Sequence, residues 1–187
     1  MINVIGISGK AGTGKDHISQ QFLRPLGYHQ YSVSWHFKVG IVGEGQASYD
    51  DVFKHKPEHI RHLLQQRGTE QGRMKYGEDV WLDHAYTWMT LFEETWGINK
   101  FVIADIRFPN EVKFIQKHGG KVLRIDAPLR AMKSNLSIEA RLHSSETALD
   151  LFTEFDEVIH NDPQYADSIE SQISVILNVP QMLMPTP

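Results

Sequence analysis

The sequence of 187 residues contains no cysteine. This absence excludes disulfide bonds, zinc sites built from thiolates and catalysis by a thiol. No apolar stretch approaches the roughly 18 residues that a membrane-spanning helix requires, so we expect no membrane partner. The apolar N-terminus at residues 1–8 lacks a basic segment before it and a small-residue cleavage site after it, which favours a strand over a signal peptide. These features together predict a cytoplasmic protein.

A surplus of basic residues is also missing. The chain has 19 lysines and arginines against 23 acidic residues, a net charge of −4. Proteins that grip nucleic acid along their length usually carry a basic surplus, so any anion site here must be local. The proportions of hydrophobic (41%) and charged (22%) residues are those of an ordinary globular domain, and the length predicts one such domain.

Short β-branched segments alternate with longer helical ones along the chain. We predict strands at residues 2–8, 28–33, 100–105, 121–125 and 157–160, and helices at 16–26, from 57, and at 79–96, 111–118 and 165–177. Residues 40–51 contain three glycines and few apolar anchors, which predicts a mobile loop. Alternating strands and helices indicate an α/β fold with a parallel sheet covered on both faces. The predicted domain spans residues 1–180, followed by a loose tail at 181–187.

A phosphate-binding loop is the strongest chemical signal in the sequence. Residues 9–16, Gly-Lys-Ala-Gly-Thr-Gly-Lys-Asp, match the Walker A pattern and lie between a predicted strand and a predicted helix. The glycines let successive N–H groups turn inward toward phosphate oxygens, and the helix N-terminus adds partial positive charge. Lys15 is the predicted catalytic lysine that reaches the β- and γ-phosphates. The predicted ATP-binding residues are Gly9, Lys10, Ala11, Gly12, Thr13, Gly14, Lys15, Asp16 and His17.

Asp16 departs from the Walker A pattern, which usually has Ser or Thr at this position to bind Mg²⁺. A carboxylate also suits a hard cation with oxygen ligands. Asp16 therefore either binds Mg²⁺ directly, binds it through water, or caps the following helix.

A second acidic residue, Asp105, ends a hydrophobic predicted strand. Ligands bind at the C-terminal ends of the strands in such sheets, so Asp105 is a candidate metal ligand or acceptor-orienting residue. Two residues later, Arg107 offers a planar fork suited to phosphate. Arg130 lies in a polar stretch, residues 127–146, that we interpret as a lid excluding water from the reaction. The four predicted catalytic residues are Lys15, Asp105, Arg107 and Arg130.

Five segments resemble those of phage deoxynucleoside monophosphate kinases, in matching order over about three quarters of the chain. They are residues 9–16, 61–70 (Arg-His-Leu-Leu-Gln-Gln-Arg-Gly-Thr-Glu), 77–81 (Gly-Glu-Asp-Val-Trp), 105–111 and 143–146 (His-Ser-Ser-Glu). The resemblance implies a P-loop NTPase fold of the nucleoside monophosphate kinase type. It further implies transfer of the γ-phosphate from ATP, with Mg²⁺, to a deoxynucleoside monophosphate.

The same resemblance implies where the acceptor binds. Residues 34–98 would form the acceptor-binding region, and Asp105 and Arg107 would face the acceptor. The predicted substrate-binding residues are Trp35, Lys38, Arg61, Gln65, Glu70, Arg73 and Trp81. Magnesium would be held by Asp16 and Asp105. A phage-encoded kinase would work in the cytoplasm of the infected cell, and a homodimer is the assembly we consider for it.

Two alternatives stay open at the level of sequence. A related group of kinases phosphorylates 5-hydroxymethyluracil within phage DNA, and the aromatic residues Trp35, Trp81 and Phe108 would suit stacking on a base in either acceptor. The other alternative is a nucleotide-binding module that transfers no phosphate, which the presence of Lys15 and Asp105 disfavours. A closed pocket one nucleotide deep favours the free nucleotide, whereas an open cationic groove favours DNA.

Overall fold

A five-stranded parallel sheet forms the centre of the molecule. The computed structural model describes residues 2–134 and 137–178, so the predicted tail at 181–187 lies outside the described residues. The strands are β1 (Asn3–Ser8), β2 (His29–Tyr31), β3 (Lys100–Ile106), β4 (Lys121–Asp126) and β5 (Glu157–His160). Their order is β2-β3-β1-β4-β5, and each neighbouring pair is parallel. The predicted α/β class is confirmed.

Ten α-helical segments and several shorter turns connect the strands. The helices are α1 (Lys15–Ile18), α2 (Trp35–Gly43), α3 (Glu58–Gly68), α4 (Met74–Tyr76), α5 (Val80–Trp96), α6 (Pro109–Lys117), α7 (Pro128–Met132), α8 (Ile138–Leu142), α9 (Ser144–Thr147) and α10 (Ile169–Leu177). These counts refer to the described residues. Within them, no helix has the length and apolar character needed to cross a membrane.

Helices cover both faces of the sheet, and a separate apolar core lies between the helices and the sheet on each face. On one face, α1 and α10 contribute Ile18 and Ile173 against strand residues such as Ile7. On the other face, α5 and α6 contribute Met89 and Ile115. Because successive strand side chains point to opposite faces, every central strand must be apolar along its whole length to serve both cores. Burial on both faces explains why the strands read as continuous hydrophobic segments.

Residues 40–51 are not one mobile loop, so that prediction was wrong in part. Helix α2 continues to Gly43, and a π-helical turn follows at Asp51–His55. Ile41 is fully buried and packs with Val52 and Ile60 in a third small core. Tertiary packing of this kind outweighs the roughly 1 kcal/mol that glycine costs in a helix.

The predicted helix at 16–26 is less regular than expected. Its α-helical part is only α1, after which the chain passes through a π-helical turn at Ser19–Leu23 and a 3₁₀ turn at Arg24–Leu26. Pro25 lacks the N–H that a continuing α-helix would use, which accounts for the tight end. The apolar face survives, since Ile18 and Phe22 are both buried.

Candidate active site

The loop between β1 and α1, which we call the phosphate loop (residues 9–16), is curled by three glycines. Gly9, Gly12 and Gly14 have φ angles of +155°, +83° and +91°, a region that side-chain-bearing residues rarely adopt. A Cβ on Gly9 would lie 2.7 Å from Thr13 Oγ1, so space as well as backbone conformation requires glycine there. The residues between the strand and the helix therefore form the turn that the sequence predicted.

The Lys15 side chain folds back over this turn. Its Nζ donates hydrogen bonds to the carbonyl oxygens of Gly9 and Lys10, each at 2.8 Å. Burial, with a smaller contribution from the neighbouring Arg107 guanidinium, lowers the pKa of Lys15 to about 8. An anion arriving at the turn would relieve both effects, because it compensates the ammonium charge.

One segment, residues 145–150, binds two cationic side chains, Lys10 of the phosphate loop and Arg107. Lys10 Nζ donates to the carbonyl of Glu146 at 2.6 Å and pairs with the Asp150 carboxylate. Arg107 pairs with the Glu146 carboxylate and donates to the Ser145 carbonyl at 3.3 Å. Lys10 is thus directed toward this segment, whereas Arg107 stays at the edge of the cleft described next.

The phosphate loop opens into a cleft of about 600 Å³. Twelve of the predicted site residues line it: Ala11, Gly12, Lys15, Asp16, Trp35, Lys38, Arg61, Gln65, Arg73, Trp81, Asp105 and Arg107. The predicted residues that do not contribute to the lining are Gly9, Lys10, Thr13, Gly14, His17, Glu70 and Arg130. The structure therefore places the predicted nucleotide side and the predicted acceptor side on one cavity.

Asp105 lies near the C-terminal end of β3, held by the chain that follows β2. One carboxylate oxygen accepts hydrogen bonds from Ser32 Oγ at 2.6 Å and the Ser34 N–H at 3.3 Å. The other oxygen accepts from the Val33 N–H at 3.3 Å. These three donors fix the orientation of the carboxylate at the cleft wall.

Lys38 adds a further cation to the same wall. It projects from α2, and burial lowers its pKa to about 8, while Asp105 and Asp16 act in the opposite direction. Lys15 is influenced by the same two carboxylates. Two acidic and several basic side chains therefore share one electrostatic environment, which suits a ligand that carries phosphates and a metal ion.

Arg73 reaches the cleft but already has strong partners. Its guanidinium pairs with the buried Glu111 carboxylate and lies 4.1 Å from the centre of the Phe108 ring. Glu111 also accepts the main-chain N–H of Arg107 at 2.6 Å. Burial raises the pKa of Glu111, and Arg73 opposes that rise. This arrangement ties the π-helical turn at Thr69–Arg73 to the start of α6.

Trp81 is fixed against the π-helical turn at Thr69–Arg73 and the end of α3. Its indole N–H donates to the Gly68 carbonyl at 2.8 Å. A Cβ on Gly72 would come within 2.5 Å of the indole ring, so glycine permits this close packing. The ring also lies 5.2 Å from Phe37, centre to centre. The pair forms an aromatic wall of the cleft.

Arg130 and Glu70 occupy positions that the sequence did not anticipate. Arg130 approaches the phosphate loop through its carbonyl oxygen, which would lie 3.2 Å from a Cβ on Gly12. Glu70 is exposed and acts electrostatically on His143, opposing the lowering of the His143 pKa by burial. His143 itself caps α9, its Nδ1 accepting the Ser145 N–H at 3.2 Å.

Several residues important to this geometry were given no role from the sequence, although Glu111 and Glu146 lie in the segments 105–111 and 143–146 named above. They are Ser32 and Ser34, which hold Asp105; Glu146, which pairs with Arg107; Glu111, which pairs with Arg73; and Asn161, whose amide donates to the Thr13 carbonyl at 2.8 Å. The polar residues directly after β2 and β5 were a usable signal, because strand ends border ligand sites in parallel sheets. The remaining two residues, Glu111 and Glu146, pair with arginines that lie far away in the sequence.

The two carboxylates at the cleft fit a magnesium ion. Asp16 and Asp105 both line the cavity. Among residues 2–134 and 137–178, no group of three or more histidine or acidic side chains could hold a metal alone. Mg²⁺ is usually held by one or two carboxylates together with substrate phosphates and water, so two carboxylates beside a phosphate loop are a suitable donor set.

The sequence matches no protein-family model, and it matches no curated protein sequence. Solved structures do match. A sugar kinase from Janibacter sp. HTCC2649 is 15% identical over the full length of both chains, with a TM-score of 0.57. A dephospho-CoA kinase from Campylobacter jejuni is 18% identical over 95% of this chain and 97% of its own, with a TM-score of 0.50.

A shikimate kinase from Aquifex aeolicus is similar at the same level, with 13% identity, a TM-score of 0.50 and coverage of 94% of this chain and 96% of its own. At such identities the likeness concerns the fold. The chain shares the P-loop kinase fold of these proteins, which the resemblance implied; the glycine-rich turn and the alternation of strands and helices had predicted the phosphate loop and the parallel sheet. The narrower resemblance to phage deoxynucleoside monophosphate kinases stays a prediction.

Proposed function

We propose that this protein is an ATP-dependent kinase that transfers the γ-phosphate to a deoxynucleoside monophosphate and produces the diphosphate. One observation carries the proposal: the phosphate loop with Lys15 and the strand end with Asp105 face the same cleft as the predicted acceptor side. Phosphoryl transfer needs little covalent chemistry from the protein, so a cavity that aligns donor and acceptor among cations supplies most of what is required.

On the donor side, the phosphates of ATP would take the place of the Gly9 and Lys10 carbonyls as partners of Lys15. The ammonium would then donate to the β- and γ-phosphate oxygens, while loop N–H groups bind the remaining oxygens. Arg107, at the edge of the cleft, would neutralise charge that develops on the transferring group. Its present partner, Glu146, holds the guanidinium in place beforehand.

Asp16 and Asp105 are the residues that would hold Mg²⁺, which neutralises charge on the bound phosphates. Asp105 would do so from a fixed position, since three donors orient its carboxylate. Asp16, at the start of α1, is exposed and lines the cavity. The substitution of Asp for the usual Ser or Thr thus keeps an oxygen ligand at this point of the loop.

On the acceptor side, α3 presents Arg61 and Gln65 to the cleft. They are four residues apart, so they lie on one face of the helix. The Arg61 guanidinium suits the phosphate of a monophosphate, and the Gln65 amide suits the edge of a base. Trp35 and the Trp81–Phe37 pair provide aromatic surfaces beside them.

The contact between the lid and α3 favours a free nucleotide over DNA. Ser137, at the start of α8, donates to the Glu58 carboxylate at the start of α3 at 3.0 Å. The predicted lid and the acceptor region are therefore in contact at this point, and a polymer that passed between them would have to break this contact. The net negative charge of the chain points the same way.

The acceptor is tested with γ-labelled ATP and a panel of deoxynucleoside monophosphates beside DNA containing 5-hydroxymethyluracil. We expect label in a deoxynucleoside diphosphate and none in DNA, with the Lys15→Ala protein as the inactive control. Label in the DNA would show that the proposed acceptor is wrong, while the protein would still be a kinase. ATP binding without transfer to any acceptor would instead indicate a nucleotide-binding module.

The pH dependence of ATP binding follows from Lys15, which we place at the phosphates, and from Lys38, a second partly buried cation on the wall of the same cleft. Lys15 and Lys38 have a pKa of about 8 in the free protein, against an ordinary value of 10.5. Bound phosphates favour the ammonium forms, so above pH 8 binding must take up protons. We expect ATP affinity to fall as pH rises from 8 to 9.5, by up to about tenfold per pH unit for each lysine.

Calorimetry in buffers of different ionisation enthalpy measures this proton uptake directly at pH 8.5. The free protein shows the opposite trend in the same range. Its unfolded chain binds more protons than the folded chain between pH 8 and 10.5, so the free energy of unfolding contributed by these lysines rises with pH. An ATP affinity that stays constant from pH 7 to 9.5 would contradict the placement of Lys15 at the phosphates of ATP.

A further inference from the structure

Two buried polar side chains, Asn161 and Asp162, directly follow β5. They are only 4% and 3% exposed, respectively. Burying polar groups is costly unless they form hydrogen bonds, so the bonds they make indicate why they are there. The Asn161 side chain bonds to the phosphate loop, and the Asp162 side chain bonds to the first turn of the lid.

Asn161 fixes one peptide group of the phosphate loop. Its Nδ2 donates to the Thr13 carbonyl at 2.8 Å, and a Cβ on Gly14 would lie 2.4 Å from the same atom. A peptide group is planar and trans, so its carbonyl and the following N–H point in opposite directions. Holding the Thr13 carbonyl toward Asn161 therefore turns the Gly14 N–H away from Asn161. That N–H is one of the loop donors proposed to bind phosphate.

Asp162 places the base of the lid. Its carboxylate accepts the N–H of Leu129 at 3.0 Å and the N–H of Arg130 at 3.2 Å, at the start of α7. The carbonyl of Arg130, in turn, approaches Gly12 so closely that a Cβ there would lie 3.2 Å away. The main chain of Asn161 completes the connection, since its N–H donates to the Asp126 carbonyl at 2.9 Å, at the end of β4.

We propose that Asn161 and Asp162 are positioning residues that keep the phosphate loop and the lid base in one fixed relation. Asn161 sets the orientation of the Gly14 N–H, and Asp162 sets the distance of α7 from Gly12. Their effect on phosphoryl transfer rests on the proposed function. Their effect on the loop itself does not, because the hydrogen bonds are present in the free protein.

The test compares Asn161→Ala with Gln172→Ala. Gln172 is a matched control, because its side-chain amide holds the last residue of β5, accepting the His160 N–H at 2.9 Å and donating to the His160 carbonyl at 3.1 Å. Hydrogen exchange of the unliganded protein is measured by mass spectrometry. We expect amides in the segment 12–15 to exchange about tenfold faster in Asn161→Ala, as for the loss of one buried hydrogen bond, and at the normal rate in Gln172→Ala.

A kinetic measurement separates positioning from general destabilisation. Asn161→Ala is expected to raise KM for ATP about tenfold and to leave KM for the acceptor unchanged, because only the phosphate loop loses its support. Asp162→Ala should speed exchange both in α7 and in the phosphate loop. Exchange that increases in α7 alone would overturn the fixed relation between the two.

Normal exchange of the phosphate loop in Asn161→Ala would overturn the positioning role of that residue. If Asn161→Ala does not fold, hydrogen exchange is measured on Asn161→Ser instead. Serine keeps a small polar side chain that is too short to reach Thr13. Should the natural protein bind no ATP, the proposed function fails, while the exchange measurement still decides on the two positioning residues.

Discussion

Lys15→Ala is expected to lower kcat/KM for phosphoryl transfer by about 30- to 900-fold, a loss of about 2–4 kcal/mol of transition-state stabilisation. The reason is the placement of the ammonium. Lys15 Nζ lies 2.8 Å from two carbonyl oxygens of the phosphate loop, so it is already at the turn that would receive the phosphates. Alanine would leave the charge that develops on the transferring group without this donor.

The matched control for this variant is Lys113→Ala. Lys113 is an exposed lysine on α6, its side chain 62% exposed, and it does not line the cleft. We expect normal kinetics from it. ATP affinity is measured for both variants by calorimetry, so that lost binding and lost chemistry are separated. Near-normal turnover in Lys15→Ala would remove the central element of the proposed mechanism.

Asp105→Asn is expected to fold and yet to transfer phosphate at least about 100-fold more slowly. The substitution keeps the shape of the side chain but removes the charge and one acceptor oxygen. All three groups that hold the carboxylate are donors, the Ser32 hydroxyl and the N–H groups of Val33 and Ser34, so the new amide NH₂ would face donors. A metal ligand or acceptor-orienting group would be lost at the same time.

Asp156→Asn is the control for this second variant. The Asp156 carboxylate also accepts a main-chain N–H, that of Val122 at 2.7 Å, but it does not line the cleft. We expect a similar small decrease in melting temperature for both variants and a loss of turnover for Asp105→Asn alone. Unfolding of Asp105→Asn would assign Asp105 a purely structural role, and unchanged turnover would exclude it from the reaction.

Two expectations from the sequence stay predictions: the homodimer and the lid function of residues 127–146. The structure describes three short helices in the lid stretch, α7 to α9, and residues 135 and 136 lie outside the described residues. The polar character of the stretch at 127–146 agrees with the exposure of two of its apolar residues, Ile138 and Leu142, which are 77% and 72% exposed. Short helices of this kind gain little stability on their own and depend on contacts with the rest of the fold.

The amino-acid sequence alone determined the fold class and the phosphate loop. Both depend on local patterns: apolar strands, helical spacing, and glycines followed by Lys15 between a strand and a helix. The third core around Ile41 was not predictable in this way, because its glycine-containing helix is stabilised by Val52 and Ile60 rather than by its own propensity.

Only the tertiary structure decided which side chains contact one another at the site. Asp105 with Ser32, Arg107 with Glu146, and Thr13 with Asn161 are separated by 73, 39 and 148 positions along the chain. No periodicity or spacing relates such partners, since the order of strands in the sheet sets which loops meet. A pattern along the chain therefore identified the groups that bind phosphate, and the sheet determined what holds them in place.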